Sequence, residues 1–336
     1  MPPGLYFHHA SSLEHETGAH PENKARIPAI ENELARRDWL GWERREAPEA
    51  TIEQLERIHP AEHIEHVRSV VASGGGWFDA DTVASAGSWG AAQHGAGGAC
   101  AMVDALMAGE SPTGFAGLRP PGHHCEAARP MGFCLFNNVA VAAQHALDVH
   151  GVERVAVFDW DVHHGNGTND IFHARRDVLY VSIHQAPLYP GSGPLRDVGS
   201  GDGEGFTINL PVPPGAGEPI WLSLVEHLVM PALRSFEPGL ILVSAGFDGH
   251  RADPLAQCML ATESFAKMAV HVASTARTLG VPFGAVLEGG YDLDALAASV
   301  AATLEAFGDD LAQPESFESD EVTARAAEVV KQHWPV

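Results

Sequence analysis

The chain has 336 residues, 45% of them hydrophobic and 19% charged, and its 44 acidic side chains against 20 Lys and Arg give a formal net charge of −24. Such a surface repels phosphate backbones, so it disfavours direct nucleic-acid binding and suits cationic ligands or plain solubility. No apolar run reaches the roughly 18 residues of a membrane span, the opening MPPGLYFHHA lacks a basic segment followed by an apolar core, and Cys100, Cys125, Cys134 and Cys258 form no C-x-x-C pair. A cytoplasmic protein with reduced thiols is expected, with no secretory leader.

In chain order, the first expected strand is 4–9, followed by a helix within 21–38 that is broken or begun near Pro28. His59, His63 and His66 lie at helical spacing in HPAEHIEHV; with no acid or Cys to complete a metal shell, an exposed helix is expected there. Asp79 and Asp81 fall in the Gly-rich stretch GGGWFDADT, which reads as a turn. Helices follow at 88–109, 137–151, 219–236, 262–280 and 292–308, and strands at 113–119, 154–160, 178–184, 205–212, 240–247 and 283–290. Several strands are Val-, Ile- and Leu-rich without alternation, as in a parallel sheet buried on both faces. Strands alternating with helices predict an α/β fold with helices on both sides of the sheet. No linker, repeat or low-complexity block divides the chain, so 1–336 reads as one domain. Residues 309–336, polar and acidic, form a peripheral segment.

Ligands of open α/β sheets bind beyond the carboxyl ends of the strands, and four strands deliver chemistry there. His123 and His124 follow 113–119, Asp161 and His163 follow 154–160, Asp248 follows 240–247, and Tyr291 follows 283–290. Asp161 and His163, two residues apart, point the same way in extended chain and can chelate one ion, which Asp248 can complete. Two carboxylates and one imidazole suit Zn²⁺ with open positions for water and substrate. The spacing alone leaves Fe²⁺ and Mn²⁺ open.

RPPGHH (119–124) with PMGFCLFNN (130–138), VFDWDVHHGNGT (157–168), SAGFDGHRADPL (244–255) and LEGGYD (287–292) together resemble the zinc-dependent histone deacetylase superfamily, on its class II side with the bacterial deacetylase-like amidohydrolases. The resemblance spans about residues 4–310. It implies an arginase/deacetylase-like three-layer α/β fold, with a central, mostly parallel sheet of about eight strands, and hydrolysis of N-acyl amides on Lys side chains or polyamines. It implies one catalytic Zn²⁺ per subunit on Asp161, His163 and Asp248, a catalytic His123–His124 pair, and Tyr291 as donor to the substrate carbonyl. Asp159 matches the carboxylate behind His123 and, with Ser182, a structural K⁺ site. Asn166 stands where class I members place an Asp behind the second His. Gly132, Phe133, Tyr189 and Leu255 match the substrate tunnel, and Arg26 matches an Arg at the foot of an acetate-release cavity. Either Asp79 or Asp81 matches a rim carboxylate. A homo-oligomer is compatible with the family.

Other residues read as structural. His164 adjoins a ligand without being one, Cys134 is a small buried residue, and GSGDGEG (199–205) has too many acids for a phosphate loop. A zinc amidohydrolase acting on acyl-lysine is therefore expected. Its rival is an acetylpolyamine deacetylase, against which stands Leu255 where some polyamine-selective members carry Glu. A metal-binding pseudoenzyme would need none of His123, His124 and Tyr291, and a binuclear site would need more carboxylates.

Overall fold

The computed structural model describes residues 3–336. Its strands are β1 (Leu5–His8), β2 (Glu43–Glu46), β3 (Gly75–Trp77), β4 (Val83–Ser85), β5 (Thr113–Ala116), β6 (Val155–Asp159), β7 (Val178–Gln185), β8 (Thr207–Val212), β9 (Leu240–Ala245) and β10 (Phe283–Leu287). Eight of them form one sheet in the order β2-β1-β5-β10-β9-β6-β7-β8, every neighbouring pair parallel. β3 and β4 form a separate antiparallel hairpin. The expected α/β architecture is thus the one found.

The buried sides of the sheet explain its sequence. Every residue of β6, β7, β9 and β10 is buried. Alternate residues face opposite layers, so Val155 and Val157 join helices 88–107 and 138–150, while Ala156 and Phe158 join helices 218–236, 262–279 and 293–308. A run apolar at every position is what two covering layers require.

Among the elements that depart from the sequence reading, three have a plain physical cause. β2, with the sequence ERRE, is a polar edge strand with no apolar pattern; charge on an edge discourages pairing with another chain. The helix expected over 219–236 contains a π-turn at Val225–Val229, just before Pro231. A proline has no N–H for the carbonyl four residues back, and the wider turn absorbs that mismatch. The helix carrying His63 and His66 (Ala61–Ala72) is not simply exposed: His59 and His63 are buried. Within 309–336, helix Glu321–Val330 buries Thr323, Ala326, Ala327 and Val330, and Trp334 packs edge-on against Phe206 and Phe236.

At the carboxyl edge, Asp159 ends β6 with Ser182 and Ser244 as its lateral partners on β7 and β9. The four loops that follow β5, β6, β9 and β10 therefore emerge side by side.

Candidate active site

Asp161, His163 and Asp248 are brought together as the sequence suggests, with ligand atoms all within 4.8 Å of one another. Nδ1 of His163 lies 3.1 Å from Asp161 Oδ1 and 3.0 Å from Asp248 Oδ2. Backbone N–H groups hold the other oxygens: Gly289 donates to Asp161 Oδ2 at 2.8 Å and Val162 to Asp248 Oδ1 at 2.9 Å. A Cβ at position 289 would sit 2.0 Å from Asp248 Oδ2 and 2.6 Å from Asp161 Oδ2, so only glycine fits between the two carboxylates. Burial lowers the pKa of His163, but the two carboxylates outweigh it and raise it to about 10. Two buried carboxylates and an imidazole focused on one point make a field for a cation, and the donor set fits a divalent metal with open positions.

Beside this cluster stand the tandem histidines, 4.0 Å apart between ring centroids. His123 Nδ1 meets Asp159 Oδ2 at 3.0 Å, and His124 Nδ1 meets Asn166 Oδ1 at 2.9 Å. Burial lowers the pKa of His123, but Asp159 and Asp161 override it and raise it to about 10. Burial, His123 and His163 all push His124 well below its ordinary value, and it has no anionic partner comparable to Asp159. The two imidazoles are thus differentiated: the carboxylates draw His123 toward protonation, while burial and its neighbours hold His124 away from it.

A cavity of about 200 Å³ opens from the cluster, lined by His124, Gly132, Phe133, His163, Leu188, Tyr189, Leu255, Tyr291 and Asp81. Phe133 and Tyr291 meet edge to face at 5.8 Å, and Tyr189 crosses His124 at 5.1 Å. Gly132 has φ +57° and passes so close that a Cβ would touch the His124 ring at 2.4 Å. Phe133 itself is left-handed at φ 70°, an unusual cost for an aromatic residue, with its N–H on Thr82 Oγ1 at 3.2 Å. All four residues assigned to the tunnel line this cavity. Of the two rim aspartates, Asp79 is spent on its own turn, accepting the N–H groups of Asp81 and Thr82, while Asp81 faces the cavity.

Tyr291 has its backbone N–H on Asp253 Oδ2 at 2.7 Å, and Arg26 lies 5.1 Å from its ring centroid. Burial and then Asp248 raise its phenol well above the ordinary value, so it stays a donor at neutral pH. Arg26 is fully buried and gives its guanidinium to Glu22 and to the carbonyls of Glu288 and Gly290. Ser182 Oγ bonds His184 Nδ1 at 2.9 Å, across the ladder from Asp159. His164 bonds Ser192 and takes no part in the ligand cluster. Cys134 is buried, its thiol raised by burial and turned to the Gly132 carbonyl, which suits packing and not nucleophilic attack.

Several supporting residues escape sequence reasoning. Glu288 accepts the N–H groups of Gly122 and His123 and the Ser244 hydroxyl. Asp253 ties Leu255 to Tyr291 by accepting both backbone N–H groups. The one signal for Glu288 was an acid directly abutting a buried strand. The histidine trio also needs correction: a Cys does approach, since Cys125 Sγ lies 3.7 Å from His63 Nε2. His59 instead bonds the Ala127 carbonyl and the Asn137 N–H, and His63 bonds the Leu135 carbonyl. The pair clamps the loop that carries His124 and Phe133.

The chain is similar in sequence and fold to known proteins. The histone deacetylase domain model matches residues 20–307. The histone deacetylase-like amidohydrolase of Pseudomonas aeruginosa is 45% identical over 249 residues, 74% of this chain and 66% of that protein. Polyamine deacetylase HDAC10 of Homo sapiens is 40% identical over 285 residues, 80% of this chain and 41% of that protein. The crystal structure of the HDA15 HD domain superposes with a TM-score of 0.93 at 32% identity, covering 100% of this chain and 97% of that one. With a family model over most of its length and a matching fold, the chain belongs to the histone deacetylase domain family.

Proposed function

We propose that the chain is a zinc-dependent deacylase that hydrolyses the side-chain amide of acyl-lysine. The observation that carries this reading is the meeting of a three-ligand cation site, a neutral imidazole and a phenol at the end of one narrow cavity. Zn²⁺ held by Asp161, His163 and Asp248 would supply Lewis acidity and lower the pKa of water. The chain's own residues supply the rest. His124, neutral and hydrogen-bonded through Nδ1, takes the proton of the attacking water at Nε2 and delivers a proton to the leaving amine. His123, cationic against Asp159, adds positive charge near the reacting carbonyl. Tyr291 donates its O–H to the developing oxyanion. Phe133, Tyr189, Leu188 and Leu255 enclose an extended alkyl chain and exclude bulky rings. A structural K⁺ beside Asp159 and Ser182 would add a fixed charge under the histidine pair. The presence of His123, His124 and Tyr291 together argues against a pseudoenzyme. Four free, buried cysteines support a reducing compartment such as the cytoplasm.

An acetylpolyamine is the competing substrate, favoured by Asp81 at the cavity and by the resemblance to a polyamine deacetylase. Leu255, which lines the same cavity, gives a distal ammonium no specific partner, and the diffuse negative surface is screened within about 8 Å at physiological salt. Acyl-lysine should therefore be hydrolysed at a kcat/KM at least equal to that for acetylpolyamines. The test is metal-loaded protein with an acetyl-lysine peptide and with acetylputrescine, side by side near physiological salt. A preference of about tenfold or more for acetylputrescine, some 1.4 kcal/mol of selective contact, would overturn the choice and point to Asp81 as the amine-binding group.

A further inference from the structure

His124 can accept a proton only if its Nε2 lone pair faces the reaction, so something must choose that tautomer. Asn166 does not choose by itself. An amide offers an acceptor on one edge and donors on the other. Turned by half a rotation, Asn166 would donate to Nδ1 and leave the imidazole proton on Nε2, where it blocks the base. An Asp in the same place could not do this.

The surroundings of the amide nitrogen break the tie. Asn166 Nδ2 lies 3.2 Å from Glu126 Oε1, 3.3 Å from the His124 carbonyl and 3.3 Å from Met131 Sδ. All three are acceptors, so the NH₂ group faces them and Oδ1 is left for His124 Nδ1 at 2.9 Å. Glu126 is the charged member of the three, and hydrogen bonds to an ionised group are about twice as strong as neutral ones. An ionised carboxylate also has no proton to offer, so it rejects the turned amide outright. Glu126 touches no reacting atom. It is half-buried, on the wall of a neighbouring cavity of about 570 Å³ that it shares with Asn166 and Tyr189.

We propose that Glu126 is a positioning residue that fixes the His124 tautomer through Asn166, keeping the proton on Nδ1 and Nε2 free. The inference rests on His124 acting as the base of the proposed deacylase, but the tautomer belongs to the resting protein and is read without substrate.

The test uses the full chain, metal-loaded, with ring-¹⁵N histidine. Wild type should show His124 as the Nδ1–H form, and Glu126→Ala should populate the Nε2–H form. In the same variant kcat should fall about 10–100-fold, the range for a lost outer-shell partner, while KM stays within about twofold. The decisive comparison is with Asn166→Asp as background. A carboxylate at 166 cannot be turned the wrong way, so Glu126→Ala added to it should cost nothing further. Should Glu126→Ala not fold, Glu126→Gln serves: its amide can rotate as Asn166 does, and it should raise the Nε2–H population above wild type. The proposal is overturned if the alanine variant, or the glutamine variant in its place, keeps the wild-type tautomer. It is equally overturned if Glu126→Ala costs as much in the Asn166→Asp background as alone, because that is a structural loss. Failure of the wild-type chain to hydrolyse any acyl amine would refute the proposed function, and the tautomer populations would still judge Glu126.

Discussion

Tyr291→Phe separates catalysis from structure cleanly, because the ring and the hydroxyl do different work. The ring meets Phe133 edge to face at 5.8 Å and lies 5.1 Å from the Arg26 guanidinium carbon. The residue is anchored by its backbone N–H on Asp253, and none of the described residues hydrogen-bonds its hydroxyl. Phenylalanine keeps the anchor, the packing and the cation–π contact, and it leaves no protein group without a partner. The folding free energy should therefore move by no more than about 0.5 kcal/mol. The hydroxyl is predicted to act only on the developing oxyanion, so its loss should cost about 10²–10³ in kcat, some 2.7–4 kcal/mol of transition-state stabilisation. KM should hardly change, since the interaction is made in the transition state and not with bound substrate. Burial and Asp248 raise the phenol pKa, so it is protonated throughout the neutral range and the loss should be uniform across it. The assay is steady-state hydrolysis of an acetyl-lysine peptide, with metal content and thermal unfolding measured on the same preparation. Near-wild-type turnover, or a loss of activity that tracks a loss of metal or of melting temperature, would refute the reasoning.

Asp161→Ala and Asp248→Ala should each lose both bound metal and activity; a full metal complement by elemental analysis in either variant would sink the ligand assignment. Leu255→Glu places a carboxylate on the cavity wall and should shift kcat/KM toward acetylputrescine by about tenfold, the equivalent of roughly 1.4 kcal/mol; an unchanged substrate ratio would remove Leu255 from the specificity argument. Burial pushes the Glu22 carboxyl up, but Arg119 and His15 overcome that and hold it well below its ordinary 4.5. Its contribution to stability is thus complete above that value and lost as pH falls through it toward the lower folded-state value. Glu22→Gln should cost about 3–5 kcal/mol at neutral pH and flatten the acid limb of stability against pH; urea unfolding curves with an unchanged acid limb would contradict this.

What could be read in the sequence is what local chemistry writes there. The core strands are apolar at every position because both faces are covered, and the polar residues that end them stand out sharply. Asp159 ends one such strand and Asp161 and His163 follow it within four positions, so the sequence alone places them together at its carboxyl end. β2 was illegible because an edge strand has neither a second layer nor a buried face to imprint a pattern, and ERRE looks like loop. The burial of His59 and His63 was hidden for a different reason. Their partners are backbone groups of Ala127, Leu135 and Asn137, some 70 residues away, and a carbonyl leaves no mark on a sequence. The choice between Asp79 and Asp81 likewise depended on which side chain closes its own turn, a matter of loop conformation and not of residue type.

Three fully buried charges away from the ligand cluster are the least obvious support of the site. Arg26, Arg119 and Glu22 are all buried without solvent exposure, and Glu22 takes both oxygens to Arg119 at 2.6 Å and one to Arg26 at 3.2 Å. Replacing such a cluster by apolar side chains would often stabilise a protein, so net stability does not explain it. Its placement does. Arg119 binds the carbonyls of Ser12 and His15, fixing the N-terminal segment against the strand end that leads to His123. Arg26 binds the carbonyls of Glu288 and Gly290, on either side of Gly289. The N–H of Gly289 in turn holds Asp161, and the next residue but one is Tyr291. The same loop passes its Glu288 carboxylate to the backbone of His123. One buried charge cluster thus fixes the position of the proposed metal ligand Asp161, the proposed oxyanion donor Tyr291 and the proposed catalytic His123 through rigid main-chain bonds. Donors and ligands gain most when they need not reorganise during the reaction, and holding them by backbone groups on three separate segments achieves that where side-chain packing alone would leave room to drift.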